Sequence, residues 1–235
     1  LRDPQPMPKC DYLICESTYG GKDHQGTPND KADLLKVIEH ACVEKRGKLI
    51  IPAFSVGRTQ ELVYMMDQLE TEGKMPNVPV YVDSPLAIDA TDIFIMHPEC
   101  YDADILEYMV TDPNPFGFRR LKFTRKAEAS KAINNYEGPA IIISASGMMQ
   151  AGRIKHHLNN HIENPRNTIL VVGFCAQGTL GRLIRDGVDE VKIFGVSKKV
   201  KAEIVVMDSF SAHGDQDEML DFLESQDKKK SPNFK

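Results

Sequence analysis

The stretch Leu49-Ile50-Ile51-Pro52-Ala53-Phe54-Ser55-Val56-Gly57-Arg58 carries the pattern that decides the fold of this chain. An apolar, β-branched run stops in a loop of small and polar residues, and apolar residues at helical spacing follow it. Such a run is typical of a strand that is buried on both faces. Four other apolar runs end in the same kind of loop: Tyr12-Leu13-Ile14-Cys15, Val80-Tyr81-Val82, Ile141-Ile142-Ile143 and Ile169-Leu170-Val171-Val172.

Helical spacing follows most of these runs, and the alternation predicts an α/β fold with a mainly parallel sheet flanked by helices. From residue 188 the pattern changes, and two strands are expected without a helix between them. The predicted strands are residues 11–15, 48–53, 78–82, 121–124, 140–144, 168–172, 191–194 and 200–207. Ligands of open α/β sheets bind at the carboxyl ends of the strands, so the strand-end loops are where we expect a site.

Composition narrows the class of protein. The 235 residues carry a net charge of −5, so any contact with nucleic acid must come from a local cluster of Lys and Arg. The five cysteines form no CxxC pair, which favours buried free thiols in a reducing compartment over disulfides. No apolar run approaches the ~20 residues of a membrane span, and no signal peptide opens the chain. A soluble, cytoplasmic protein with no membrane contact is therefore expected.

Two segments carry residues suited to acid–base chemistry. Glu16 directly follows an apolar run, so it suits a general acid or a carboxylate that orients a histidine; the alternative is a cap of the following loop. His213 stands between Ala212 and Gly214, so its imidazole can face a cleft. The alternative is a turn histidine beside Asp215, which would cap the following helix.

Three strand-end loops carry an arginine. The loop that starts at Ser144 places small residues before a helix, so the N–H groups at the start of that helix can bind an anion. The alternative is a tight turn whose glycines serve only to let the helix pack closely on the sheet. In a parallel sheet, Arg58, Arg153 and Arg182 would converge on one edge as a positive patch suited to a phosphodiester. Asp83-Ser84-Pro85 is interpreted as a helix cap rather than a cation site, because proline fits the first helical turn.

No zinc site is expected within this chain. There is no HxH or HExxH sequence. His157 and His161 are spaced i, i+4, but no acidic or thiolate partner is evident nearby in the sequence. The absence of GxSxG, a P-loop and GxGxxG argues against an unrelated hydrolase or nucleotide-binding domain.

The motifs, in their order, resemble the β-CASP branch of the metallo-β-lactamase-fold nucleases. Residues 16–20 resemble motif A of that family, and residues 210–213 resemble motif B. Residues 52–61, 83–87 and 144–157 also resemble it, so the likeness covers nearly the whole chain. The resemblance implies a zinc-dependent RNA-processing nuclease, endonuclease or 5′ exonuclease, in which Glu16 and His213 are catalytic.

The predicted contacts to RNA or phosphate follow from the same motifs and loops. They are Ser17, Tyr19, Arg58, Ser146, Gly147, Arg153, His157, Gln177, Arg182 and Ser211. The resemblance also implies single-stranded RNA as partner, with self-association of the chain left open. A stand-alone, non-catalytic RNA-binding module is the alternative function.

The sequence departs from the family pattern in its zinc motifs. The HxHxDH motif and the motif C histidine are not in these 235 residues. The resemblance therefore implies the β-CASP portion of a longer enzyme, with two zinc ions in that parent, none in this fragment, and a fragment that is inactive alone. Residues 1–20 would be an edge of the missing metallo-β-lactamase domain, 21–190 the β-CASP domain, and 191–235 the return segment, which is the RNA-specificity region with motif B.

Overall fold

The structure is a computed structural model that describes residues 10–21, 23, 30–207 and 213–224. Its strands are β1 (Lys48–Pro52), β2 (Val80–Val82), β3 (Leu121–Phe123), β4 (Ala140–Ser144), β5 (Thr168–Val171), β6 (Glu190–Ile193), β7 (Val196–Lys199) and β8 (Glu203–Val206). Within the described ranges, six strands form one sheet in the order β3-β2-β4-β1-β5-β8, and every pairing in it is parallel. The predicted α/β fold with a parallel sheet is confirmed.

Helices connect the strands, as the crossover of a parallel sheet requires. They are α1 (Asp30–Ile38), α2 (Arg58–Thr71), α3 (Pro85–Met96), α4 (Ala103–Tyr108), α5 (Ala127–Asn135), α6 (Ile154–His161), α7 (Leu180–Arg185) and α8 (Gln216–Glu224). A π-helical turn, Glu39–Glu44, continues α1, and a 3₁₀ turn, Pro98–Cys100, follows α3. None of the described helices is both long and apolar enough to cross a membrane.

The sheet is covered on both faces, which is why its central strands are apolar throughout. All residues of β1 and β4 are buried. Since successive side chains point to opposite faces, Leu49 and Ile51 pack into one core with α1, α2 and α3. Ile50 packs into the other core with α6, α7 and the β6–β7 hairpin.

Two predicted strands are corrected by the structure. Residues 11–15 form no strand: Tyr12 is 93% exposed and Ile14 100% exposed, and no described strand pairs with them. Residues 200–207 form a strand only from Glu203, because the N–H groups of Lys201 and Ala202 donate to the Ile162 carbonyl, at 3.0 and 2.9 Å. Both segments have strand propensity, but strand formation depends on a partner that local sequence does not show.

The cysteines divide between core and surface. Cys42 and Cys175 are buried, Cys10 is half-buried, and Cys15 and Cys100 are exposed. Burial raises the pKa of the Cys42 thiol to about 12, so this side chain is a neutral core thiol at physiological pH. The prediction of buried thiols is right for the first pair and wrong for the second.

Gly47 is the residue at the entry to β1 where a side chain does not fit. A Cβ there would lie 1.8 Å from the Arg166 carbonyl oxygen. That backbone is held by its neighbour Asn167, whose side chain bonds the Lys48 N–H and the His161 carbonyl, both at 2.9 Å. We expect Gly47→Ala to lower the free energy of unfolding by ~2–4 kcal/mol, measured by urea denaturation.

Gly21→Ala is the matched control, because a Cβ at Gly21 would meet no atom within 4 Å. Its effect should stay within about 0.5 kcal/mol. Equal stability of the two variants would show that the 46–48 turn relaxes without cost.

Candidate active site

A cleft lies at the carboxyl edge of the parallel sheet, where the sequence predicts it. Its volume is about 810 Å³. The loops after β1, β4 and β5 and the start of α3 form its walls, and His213 also lines it. Elements that are far apart in the sequence therefore meet at this edge, because parallel strands place all their carboxyl ends together.

Glu16 and His213 meet beside this cleft although they are 197 positions apart. The His213 Nδ1–H donates to a Glu16 carboxylate oxygen, which fixes the ring proton on Nδ1. Desolvation raises the pKa of the Glu16 carboxyl, but hydrogen bonds from Thr18 and His213 outweigh it, so the pKa lies below its ordinary value. Glu16 is thus held as an anion that orients the imidazole.

Tyr19 packs beside this pair. It is buried, and its ring centre lies 6.3 Å from that of His213 and 6.0 Å, edge to face, from that of Phe174. The Tyr19 backbone forms a parallel bridge with Asp215. The two segments that carry Glu16 and His213 are therefore joined through their backbones as well as through their side chains.

The helix cap that the alternative interpretation of the second segment predicted is present, since Asp215 caps α8. Its carboxylate accepts from the Glu218 N–H at 2.9 Å, while the Glu218 carboxylate accepts from the Asp215 N–H at 3.0 Å. This is a reciprocal capping box. The cap fixes the chain just after His213, so capping and histidine placement are compatible.

Asp83 is the buried centre of the same edge. One carboxylate oxygen accepts from the Arg153 guanidinium at 2.7 Å. The other accepts from the His157 Nε2–H at 2.7 Å and from the Ser130 hydroxyl at 2.5 Å. Ser84, rather than Asp83, caps α3 by accepting from the Ala87 N–H. The sequence therefore predicted the cap but not the network.

The three strand-end arginines do not form the positive patch that the sequence predicted. Arg58 is buried and pairs with Glu61, three residues further along α2. Arg182 on α7 pairs at 2.7 Å with Asp186, the residue just after that helix. Arg153 pairs with Asp83 and also donates to two carbonyl groups in the loop after β3. A guanidinium paired with a carboxylate presents little net charge to a phosphate, so these three side chains do not make the edge a basic surface.

The loop after β4 folds onto itself. The N–H groups of Ser146 and Met149 donate to the Ala151 and Ser146 carbonyls, at 3.1 and 3.0 Å. The first N–H of α6, that of Ile154, donates to the Ala145 carbonyl at 3.2 Å. These three donors are not available to an anion, which favours the tight-turn alternative for this part of the loop. Gly152, with φ +81°, is required here because a Cβ would lie 2.2 Å from the Ala145 oxygen.

The other predicted contacts are spread along the edge. Ser146 lines the cleft, and Gly147 packs against the ring of Phe54. Ser17 is exposed on the Glu16 segment, and Gln177 is exposed on the loop after β5. Ser211 lies outside the described residues.

The described residues do not supply a zinc site. Among them, no three His, Cys, Asp or Glu side chains gather as ligands. His157 and His161 do lie in α6, but His157 bridges Asp83 and Asn134. Burial, with the charge of Lys48, lowers the pKa of His161 to about 4.

Comparison with known proteins agrees with this geometry. Residues 59–184 match the Beta-Casp domain, and residues 197–231 match the Zn-dependent metallo-hydrolase RNA specificity domain. This chain belongs to the β-CASP family of metallo-β-lactamase-fold nucleases. The family membership predicted from the motifs is thus confirmed, and His213 falls within the stretch that matches the RNA specificity domain.

Three relatives within this family are similar to the β-CASP chain over most of its length. Ribonuclease TTHA0252 of Thermus thermophilus is 34% identical over 96% of this chain and 52% of its own length. Transcription termination factor FttA of Methanosarcina mazei is 32% identical over 95% of this chain and 36% of its own. RNase J-like protein of Methanocaldococcus jannaschii is 32% identical over 91% of this chain and 48% of its own. The β-CASP chain spans about half of the first relative's length and less of the other two.

The Asp83 network gives a prediction about stability. Asp83→Asn removes the charge that Arg153 faces and directs an amide N–H₂ toward a donor. Since breaking a buried pair from one side leaves the other charge uncompensated, we expect a loss of ~3–5 kcal/mol in the free energy of unfolding, measured by urea denaturation. Asp186→Asn, which breaks the exposed pair with Arg182, is the control and should cost about 0–1 kcal/mol.

The same network predicts an acid dependence. Desolvation raises the pKa of Asp83, but hydrogen bonds from His157, Ser130 and Arg153 outweigh it and lower the pKa below the ordinary 3.8. Its stabilisation is present above that ordinary value and is lost as the pH falls through the lowered pKa. The stability gap between wild type and Asp83→Asn should therefore narrow under acid; a gap that stays constant would contradict an ionised Asp83.

Proposed function

We propose that this chain is the β-CASP portion of a zinc-dependent RNA-processing nuclease that hydrolyses phosphodiester bonds. The observation that carries the proposal is the Glu16–His213 pair beside the strand-end cleft. A carboxylate-held imidazole is a proton-transfer device. Support for RNA as substrate comes from the match of residues 197–231 to the RNA specificity domain and from a relative that is named a ribonuclease.

In the proposed reaction His213 is the general acid. A water oxygen attacks phosphorus and gives up a proton to solvent, the bond from phosphorus to the leaving oxygen breaks, and the protonated imidazole gives the leaving oxygen a proton. Glu16 holds Nδ1, so the proton comes from Nε2, and the carboxylate stabilises the cationic ring before transfer. Family membership suggests zinc in the longer protein; in our proposal residues other than the described ones hold it.

The proposed RNA contacts other than Ser211 divide into three groups. Ser17, Tyr19, Ser146, Gly147 and Gln177 lie on the loops around the cleft and the Glu16–His213 pair, where a bound strand would pass. Arg153 and His157 act as positioning residues, since both contact Asp83.

Arg58 and Arg182 form a third group, since each is paired with a carboxylate three or four residues further along the chain. We propose that they contact phosphate only through groups that remain exposed. Ser211 is proposed on the resemblance alone.

The general-acid role can be tested in the full-length protein that contains this chain. We expect His213→Ala to lower kcat for RNA cleavage by ~10²–10⁴ with a smaller change in KM, and Glu16→Gln to have a weaker effect of the same kind. A phosphodiester with a nitrophenolate leaving group needs no proton on leaving, so it should recover most of the loss.

His97→Ala is the matched control, because His97 pairs with Glu99 at 2.7 Å on the surface outside the cleft. Its kcat should equal that of the wild type. The proposal fails if His213→Ala cleaves RNA normally, or if the activated diester is slowed as much as RNA.

We also propose that the 235-residue chain is inactive alone. The described residues hold no group of three metal ligands, so this part of the chain offers no place for the zinc that the family model names. We expect the purified chain with added zinc to cleave single-stranded RNA no faster than buffer does. Metal-dependent cleavage by the purified chain that His213→Ala abolishes would contradict this. RNA binding without cleavage by the full-length protein would favour the non-catalytic alternative.

A further inference from the structure

The wall of the strand-end cleft is apolar and open to solvent. Phe54, Val56 and Leu86 line it while being 42%, 61% and 62% exposed. Met148 and Phe174 continue the same wall. Contiguous apolar side chains left in water mark a binding site, because hydration of this surface is unfavourable.

The charges around the wall do not favour a phosphate as its occupant. Arg58, the arginine that lines the cleft, is buried against Glu61. Arg153, at the same edge, is turned to Asp83. The cleft therefore offers aromatic and aliphatic surface at its wall, with its strand-end cations already paired.

The Phe54 ring is held in place for contact. Gly147 allows the loop after β4 to pass against it, since a Cβ at Gly147 would lie 3.1 Å from two carbons of the ring. The Phe54 carbonyl accepts from the Thr59 hydroxyl at 2.7 Å and from its N–H at 3.3 Å. Gln60 donates to the Ser55 carbonyl at 3.1 Å, so the turn that carries the ring is fixed at both ends.

We propose that this wall is a nucleobase subsite, in which one base of single-stranded RNA stacks on Phe54 and packs against Val56 and Leu86. Aromatic rings accept any base by its π-face, and such stacking does not need a basic surface. The cleft volume of about 810 Å³ suits a nucleotide rather than a folded partner. The inference rests on the proposed function, because His213 lines the same cleft and would act on the phosphodiester beside the stacked base.

The test is a binding experiment on the full-length protein and on this chain. The probes are a single-stranded RNA and a series of the same RNA with one abasic nucleotide placed at successive positions, read by fluorescence anisotropy. We expect Phe54→Ala to weaken binding of the intact RNA by roughly 5- to 150-fold, the range of one base–aromatic stack. Phe54→Tyr keeps the ring and should bind as the wild type does.

A double-mutant cycle identifies the stacked base. At one abasic position the wild type should lose the same factor as Phe54→Ala loses on intact RNA, and the two losses should not add. The salt dependence of binding should be unchanged in Phe54→Ala, since no phosphate contact is removed. Phe194→Ala is the matched control, because Phe194 is 51% exposed on the β6–β7 turn and outside the cleft lining.

The outcomes separate this inference from the proposed function. If the wild type binds RNA and Phe54→Ala binds it equally well, the base subsite is wrong while the nuclease proposal stands. If the loss of affinity from Phe54→Ala and the loss from the abasic nucleotide add at every position, the base subsite is likewise wrong while the nuclease proposal stands. If Phe54→Ala lowers the Tm of the full-length protein without changing its RNA affinity, another part of that protein covers the wall, which also overturns the subsite. Absence of RNA binding by the wild type would count against both proposals.

Phe54→Leu, which keeps the apolar volume, replaces Phe54→Ala if the latter does not fold.

Discussion

The Asp83 carboxylate is buried, and the carboxyl edge of the sheet is organised around it. A charge removed from water is tolerated only when its oxygens are satisfied and an opposite charge is near. That requirement is met by Ser130 on α5, by His157 on α6 and by Arg153, the residue just before α6. The Asp83 backbone takes part as well, since its N–H donates to the Ile143 carbonyl at 2.8 Å and its carbonyl accepts from the Ser144 hydroxyl at 2.9 Å. This one residue therefore fixes the end of β2 against β4 through its backbone and against two helices through its side chain.

This arrangement determines the character of the cleft. Because Arg153 is committed to Asp83, and Arg58 to Glu61, the strand ends are left with apolar side chains rather than free cations. A chain of net charge −5 also gains little from long-range attraction to a polyanion. In our proposal, recognition of RNA at this edge depends on short-range contacts, namely base stacking and the orientation of a few polar groups. Affinity from such contacts varies less with salt than affinity from phosphate neutralisation does.

The sequence predicts those features of the fold that depend on local residue patterns. The runs around Ile50 and Ile142 are apolar at every position, so burial on both faces and a parallel sheet follow from them directly. The pairing of Arg58 with Glu61 also follows from the sequence pattern, since residues i and i+3 are neighbours on a helix. The hydrogen bond from Arg153 to Asp83 could not be predicted from local sequence, because 70 positions separate the two residues and only the packed sheet brings them together. The same holds for residues 11–15, whose apolar pattern does not by itself provide a strand to pair with.

The candidate catalytic pair is positioned mainly by backbone structure. The capping box of Asp215 and Glu218 fixes the start of α8, and the parallel bridge from Tyr19 to Asp215 joins that start to the segment of Glu16. The imidazole of His213, two residues before Asp215, is thus close to Glu16 before any hydrogen bond forms between them. Their hydrogen bond selects the ring tautomer and orientation rather than bringing the segments together. Loss of the Glu16 charge should therefore impair proton transfer while leaving the histidine near the cleft, which is why its effect is expected to be weaker than that of losing the imidazole itself.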